Sequence, residues 1–327
     1  MSDETIKNTF QVTAPARLRV SNIRGSITVE PGEPGIIDVT AVKHGNFDSS
    51  RYSVEMTQDA DGSVHIETHS NDALFGFLSY PPRVEYSLKV PQGIHVDASC
   101  VSSSLDVQGL EGVFKFKTVS GDMQLANLSG PLKLGTVSGD ISGSHLAGSL
   151  DLSSVSGKVR LQESSFPSAD ASTVSGDLIL QTSLSDGPYQ FGSVSGSVHL
   201  LVPPDTHCNA ELNSVSGSIR SSLPATAMHM GHGLKVTQIQ GGGPAVRLKS
   251  VSGNLSFELE GVPATPVQAS TPGPVETITP IPPLQPILPV PPSTPPQAPL
   301  TTAEILQRIE RGELTVDEAL KLMKNQS

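Results

Sequence analysis

The chain has 327 residues, only 16% of them charged and 4% aromatic, with 30 Gly, 27 Pro and a net charge of −11. An acidic chain without a basic cluster repels a phosphate backbone, so nucleic-acid binding is disfavoured. No run of 18 apolar residues is present to form a spanning helix, the opening Met1 to Asn8 lacks the apolar stretch of a secretion signal, and the expected compartment is the cytoplasm.

In chain order, Leu18, Val20, Ile23, Gly25, Ile27 and Val29 give the first short alternation of apolar and polar residues, the pattern of strands with one buried face. Residues 30–95 then read as a β-meander with strands at 36–42, 51–57, 63–69 and 83–90, and Asp59 to Gly62 turns its central hairpin. Within the meander, Leu74, Phe75, Phe77 and Leu78 form an apolar run. It is suited to docking a partner or to a peripheral membrane contact, but plugging the end of the core is the favoured reading.

From residue 96 to 260 the chain is periodic. Val-Ser-Gly recurs at 119, 137, 155, 174, 194, 215 and 251, with spacings of 18, 18, 19, 20, 21 and 36. A fixed period of this length marks a solenoid, in which each coil completes the hydrogen bonds of the next. Apolar residues flank each tripeptide at alternate positions, as Leu132, Leu134 and Ile141 do around Val137. The expected coil of about 18 residues has two strands and two corners. The first corner is Ser/Thr-Val-Ser-Gly, with Gly supplying positive φ and Val turning inward to an interior ladder. The second is Leu128-Ser-Gly130 and its equivalents Gly148 and Gly187. The 36-residue gap is read as two coils, the one at 225–241 having Met230 where the Val should be. The meander would cap one end, because open strand edges template aggregation. Cys100 and Cys208 would lie six coils apart, about 29 Å at the usual strand spacing, and so be free thiols.

Little chemistry accompanies the repeat. Asp122, Asp140 and Asp177 share one corner position with Lys158, Ser197, Ser218 and Asn254. Stacked carboxylates suit calcium or acid/base work, but a Lys among them favours ordinary turn formers. The Ser ladder has no His in register to act as its base. His65 with His69, and His229 with His232, are more readily exposed strand histidines than metal ligands. With no Trp and four Tyr, platforms for sugar rings are scarce. No catalytic, cofactor-binding or metal-binding residue is assigned, and the chain is not expected to be an enzyme.

Fourteen of the 39 residues at 262–300 are Pro, which makes an extended polyproline-like linker. Capping boxes at Thr301 to Glu304 and Thr315 to Glu318 open two short helices in 301–327, with Gly312 between them. Ile305, Leu306 and Ile309 form one apolar face, and Val316, Ala319, Leu320, Leu322 and Met323 another. Helices this short do not hold a core alone, so self-association or a protein partner is expected there.

Through Leu18 to Ile27, Val84 to Gly93 and the repeated Val-Ser-Gly-Asp, residues 8–260 resemble the DUF4097 family of candidate adhesins. The resemblance implies an all-β fold, a parallel β-solenoid, without established catalysis and, in some relatives, tied to envelope-stress sensing. The stretch from Ile305 to Leu322 is similar to SHOCT-like helical pairs. The expected organisation is therefore a solenoid domain at 1–260 with the meander at 30–95, a linker at 261–300 and a helical pair at 301–327. Its expected role is an interaction scaffold. A filament-forming, bactofilin-like solenoid is the alternative, and a glycan-active β-helix enzyme stands third.

Overall fold

The computed structural model describes residues 3–45, 52–70, 83–223, 225–231 and 234–260, which are strands and their connections without any helix. The helical pair, the Pro-rich linker and the apolar run at 74–78 lie outside the described residues.

Two ladders of parallel strands run the length of the molecule. The first arm stacks Gly112–Thr118, Leu132–Thr136, Leu150–Ser154, Ala169–Thr173 and Tyr189–Ser193 in unbroken register. The second arm stacks Met123–Ser129, Ile141–Ala147, Val159–Phe166, Leu178–Leu184 and Val198–Val202. Each coil contributes one strand to each arm, as the period requires. Alternation sends Leu132, Leu134, Leu150 and Leu152 of the first arm and Ile141, Val159 and Leu161 of the second into one hydrophobic core. Each such side chain contributes about 1.5–3 kcal/mol of burial. Arg17–Pro31 and Ile94–Gln108 pass through both arms and pair in parallel along their length.

The meander extends these ladders before it closes them. Val64–Ser70 pairs in parallel with the start of Arg17–Pro31, and Arg83–Val90 with its end. The next strands out, Tyr52–Gln58 and Ile36–His44, are antiparallel to these, and Glu4–Gln11 is antiparallel to Ile36–His44. The polar groups drawn inside at this junction find one another. Asn22 donates to the Val84 carbonyl at 2.8 Å and to Ser103 Oγ at 3.0 Å, and Thr68 Oγ1 lies 2.7 Å from the Tyr86 hydroxyl. Burial pushes the Tyr86 phenol up to about 12.

The far end departs from the expected order. Ala245–Ser250 sits between Tyr189–Ser193 and Cys208–Ser214, and Leu255–Leu259 sits between Val198–Val202 and Ile219–Ser221. The last coil in sequence is thus inserted ahead of the coil that precedes it. Residues 225–239 are not a degenerate coil. Leu234–Ile239 lies antiparallel on Cys208–Ser214, and Ala225–Gly231 antiparallel on Leu234–Ile239. Period-2 apolar spacing serves either pairing direction equally. A tight hairpin reverses the chain, whereas a coil needs a corner. The 36-residue gap is therefore a detour.

The corner glycines also depart from expectation. None of Gly121, Gly139, Gly157, Gly176, Gly196, Gly217 and Gly253 has positive φ, whereas Gly130 (+126°) and Gly148 (+122°) at the second corner do. What excludes a side chain at the first corner is proximity. A Cβ on Gly139 would lie 1.9 Å from the Gly121 carbonyl oxygen, and one on Gly157 1.9 Å from that of Gly139. The same contact runs from Gly253 to Gly196 at 1.8 Å and from Gly217 to Gly253 at 1.9 Å, which independently gives the order of the last coils.

Cys100 and Cys208 are buried and free, and the inserted coil puts them seven ladder steps apart, about 34 Å at the usual strand spacing. Burial pushes both thiols up to about 12.

Two outcomes follow from this packing. Gly157→Ala should lower the urea midpoint by the equivalent of about 3 kcal/mol, since backbone must move to admit the methyl. Gly93→Ala, at φ +73° with open space around it, should cost only about 1–2 kcal/mol. Ellman's reagent at pH 8 should leave both thiols unmodified in the folded chain and titrate both in urea; rapid native labelling would contradict their burial.

Candidate functional site

The corner is built from a buried hydroxyl. Thr118, Thr136, Ser154, Thr173, Ser193, Ser250 and Ser214 occupy the inward position just before each Val and are buried. The amide of the corner Gly donates to this hydroxyl in six of the seven corners: Gly121 to Thr118 (2.9 Å), Gly139 to Thr136 (2.9 Å), Gly176 to Thr173 (3.1 Å), Gly196 to Ser193 (2.7 Å), Gly217 to Ser214 (2.9 Å) and Gly253 to Ser250 (2.7 Å). In the seventh, Ser154 donates to the Gly157 carbonyl at 3.4 Å. A short hydroxyl side chain that closes a local turn in this way holds the bend while staying satisfied inside.

The following residue must then face outward, because neighbours on a strand alternate. None of the valines belongs to the core cluster, and from Val174 onward they form an outer column and not an interior ladder. Val119 and Val137 are covered, Val155 is 9% exposed, and exposure climbs to 48% at Val251 and 78% at Val215.

On each first-arm strand the outer face thus has three positions. Charged or amide residues such as Lys133, Asp151 and Gln190 form one edge, the Val forms the other, and between them lie Gly135, Ser153, Ser172 and Gly192 in four coils and Lys117, Asn213 and Lys249 in the other three. Small residues between two taller rows leave a groove along the stack. It measures about 630 Å³, and Val155, Val174, Val194, Val251 and Val215 wall it. Charges on the polar edge neutralise one another across adjacent coils: Lys133 pairs with Asp151, Lys115 with Asp97 at 2.8 Å, and Arg247 with Glu211 at 3.3 Å. The Val edge of the groove is aliphatic, its polar lining includes Lys117, Asn213 and Lys249 besides the Lys133–Asp151 pair, and no aromatic residue lines it among the described residues.

The other candidates have structural occupations. Asp122 Oδ1 accepts the Asp140 amide at 3.0 Å, Asp140 Oδ1 the Lys158 amide at 2.7 Å, Asp177 Oδ1 the Ser197 amide at 2.9 Å and Asn254 Oδ1 the Ser218 amide at 3.1 Å. The row is a ladder of side-chain acceptors, each holding the next coil. Ser156, Ser216 and Ser252 donate their hydroxyls to valine carbonyls of the neighbouring coil. His65 pairs with Asp59 at 3.0 Å and His69 with Glu67 at 3.4 Å, so the two imidazoles engage separate carboxylates. Among the described residues, no three His, Cys, Asp or Glu side chains are grouped to hold a metal.

Of the residues singled out from sequence for interaction, Leu74, Phe75, Phe77, Leu78, Ile305, Leu306, Ile309, Leu320 and Met323 all lie outside the described residues. The groove itself escaped notice. Its signal was the hydroxyl before each Val and, in four of the seven coils, the small residue two places before it.

Comparison with known proteins gives one family and several solved structures. The family described as Toastrack DUF4097 matches residues 16–258. Similar solved structures include a candidate cell adhesion protein from Clostridium sporogenes, 11% identical, covering 79% of this chain and 100% of its own at a TM-score of 0.27. A candidate adhesin from Parabacteroides distasonis is 12% identical, with 78% and 97% covered and a TM-score of 0.37. One from Parabacteroides merdae is 11% identical, with 78% and 96% covered and a TM-score of 0.37. No curated protein matches the chain.

If the acidic row serves as acceptors and not as charges, Asp140→Asn should leave the urea midpoint nearly unchanged. Asp140→Leu, which strands the Lys158 amide, should cost about 1 kcal/mol.

Proposed function

The chain belongs to the Toastrack DUF4097 family, and from its groove we propose that it is a non-catalytic interaction scaffold whose rigid solenoid grips an extended aliphatic or proline-rich segment. The exposed valine column carries this reading. A contiguous aliphatic surface on a folded chain marks a contact site, and here it is continuous over five coils. The groove crosses the strands, so a ligand lying in it meets side chains and not open ladder hydrogen bonds. Affinity must then come from apolar side chains set at a matching interval. Proline-rich segments suit such a site because little order remains to be imposed on binding.

The 301–327 segment, on its long linker, is the proposed element of self-association or partner docking. Sensing of envelope stress from the cytoplasmic side is the proposed setting, in keeping with the resemblance of the chain. End-to-end filament growth has less support. Antiparallel strands close both arms at the meander end and the first arm at the other, which among the described residues leaves the three-residue Ile219–Ser221 as a parallel edge there.

A peptide array probed with the full chain tests the reading. Bound peptides should be enriched in aliphatic residues at a regular two- or three-residue interval, and Val174→Glu with Val194→Glu should abolish that enrichment while the thermal midpoint holds. A bound set with no aliphatic interval, or one unaffected by the two glutamates, would overturn it.

A further inference from the structure

Residues 275–290 repeat an aliphatic residue at every third position: Val275, Ile278, Ile281, Leu284, Ile287 and Val290. Between them lie Pro280, Pro282, Pro283, Pro286 and Pro289, and Glu276 is the one charge in the segment. A polyproline II helix has three residues per turn and rises about 3.1 Å per residue, so these six side chains share one face at intervals of about 9.3 Å. The valine column has its own interval. Strands in a ladder are about 4.8 Å apart, so every second valine recurs at about 9.6 Å. Over the five wall valines, two turns of the helix and four ladder steps both span about 19 Å, and the two periods stay in phase to within about 1 Å.

Taking the groove as a binder of extended aliphatic segments, we propose that its occupant is the chain's own segment 275–290, in polyproline II form, with three successive residues of its aliphatic stripe seated on the five wall valines. Charge agrees, since Glu276 is the one charge of the segment and the groove lining carries Lys117, Lys133 and Lys249 against Asp151. Reach agrees as well. The last strand, Leu255–Leu259, belongs to the coil that contributes Val251 to the wall. Glu260 is thus one strand, about 20 Å, from that corner. The 14 residues at 261–274 extend to about 45 Å. A tether of this length holds the segment at roughly millimolar effective concentration, which a second copy at ordinary concentrations does not match.

Spin labels on the full chain test the assignment. The native thiols are buried, so Ser293→Cys beyond the stripe and Lys158→Cys at an exposed corner take the labels. A single narrow distance is expected, unchanged when labelled chain is diluted with excess unlabelled chain. Ile281→Ser with Leu284→Ser and Ile287→Ser lies outside the solenoid, leaves its folding intact, and should spread the distance into a broad distribution. One Ala inserted between Pro283 and Leu284 turns half the stripe by a third of a revolution and should do the same, whereas three Ala should restore the narrow distance. A broad distribution in the parent chain, a narrow one that survives the triple substitution, or one lost on dilution would overturn the proposal. On the peptide array, the triple variant should bind several-fold more tightly than the parent, because the competing segment is gone. Array binding that keeps its aliphatic interval alongside a broad parent distance would sink this inference alone, and loss of the interval would remove the groove reading with it.

Discussion

The hydrogen bond between each corner Gly and the buried hydroxyl three residues before it, donated by the Gly amide in six of the seven corners, sets the geometry of the solenoid. It bends the chain between the arms, and it fixes which side chains face inward. Thr136 takes the inside position, so Leu132 and Leu134 join it there, while Lys133 is exposed and Val137, though covered, stays out of the core cluster. The bend also brings each corner so close to the one beneath that only Gly fits, with the Gly121, Gly139 and Gly157 backbones nearly touching. Because the packing is in register, one local choice repeated seven times becomes a column of hydroxyls, a column of glycines and a column of valines.

The groove is a by-product of these columns. An outward Val beside a small residue is an unremarkable surface in one coil. Stacked five deep, the valines become a continuous aliphatic wall, over a floor that is shallow beside Val155, Val174 and Val194. Ion pairs between coils, such as Lys133 with Asp151, then remove most of the charge from the opposite edge. A repetitive surface of this kind recognises repetition. In the proposed reading, an interval match between groove and ligand carries the specificity that no single residue could.

The inserted coil shows what stacking permits. Each coil contacts only its neighbours, so the position of a coil depends on which edge is open and not on its place in the sequence. The hairpin at Ala225–Gly231 and Leu234–Ile239 occupies the outer edge of Cys208–Ser214. The final coil then fits between Tyr189–Ser193 and Cys208–Ser214, and the acceptor ladder accommodates it through Asn254 and Ser218.

The period of Val-Ser-Gly, the alternation around it and the turn at Asp59 to Gly62 are local properties, and by themselves they determined a parallel all-β solenoid with a meander at its start and two distant, unpaired cysteines. Three matters were decided only by tertiary structure. Whether Val137 faces in or out depends on Thr136 finding the Gly139 amide, and an apolar residue in an alternating pattern does not declare its side. The corner Gly looked like a turn residue, but its requirement comes from Gly121 in another coil. The spatial order of the last coils depends on a choice between pairing directions for residues 225–239, and an alternating strand satisfies both equally well.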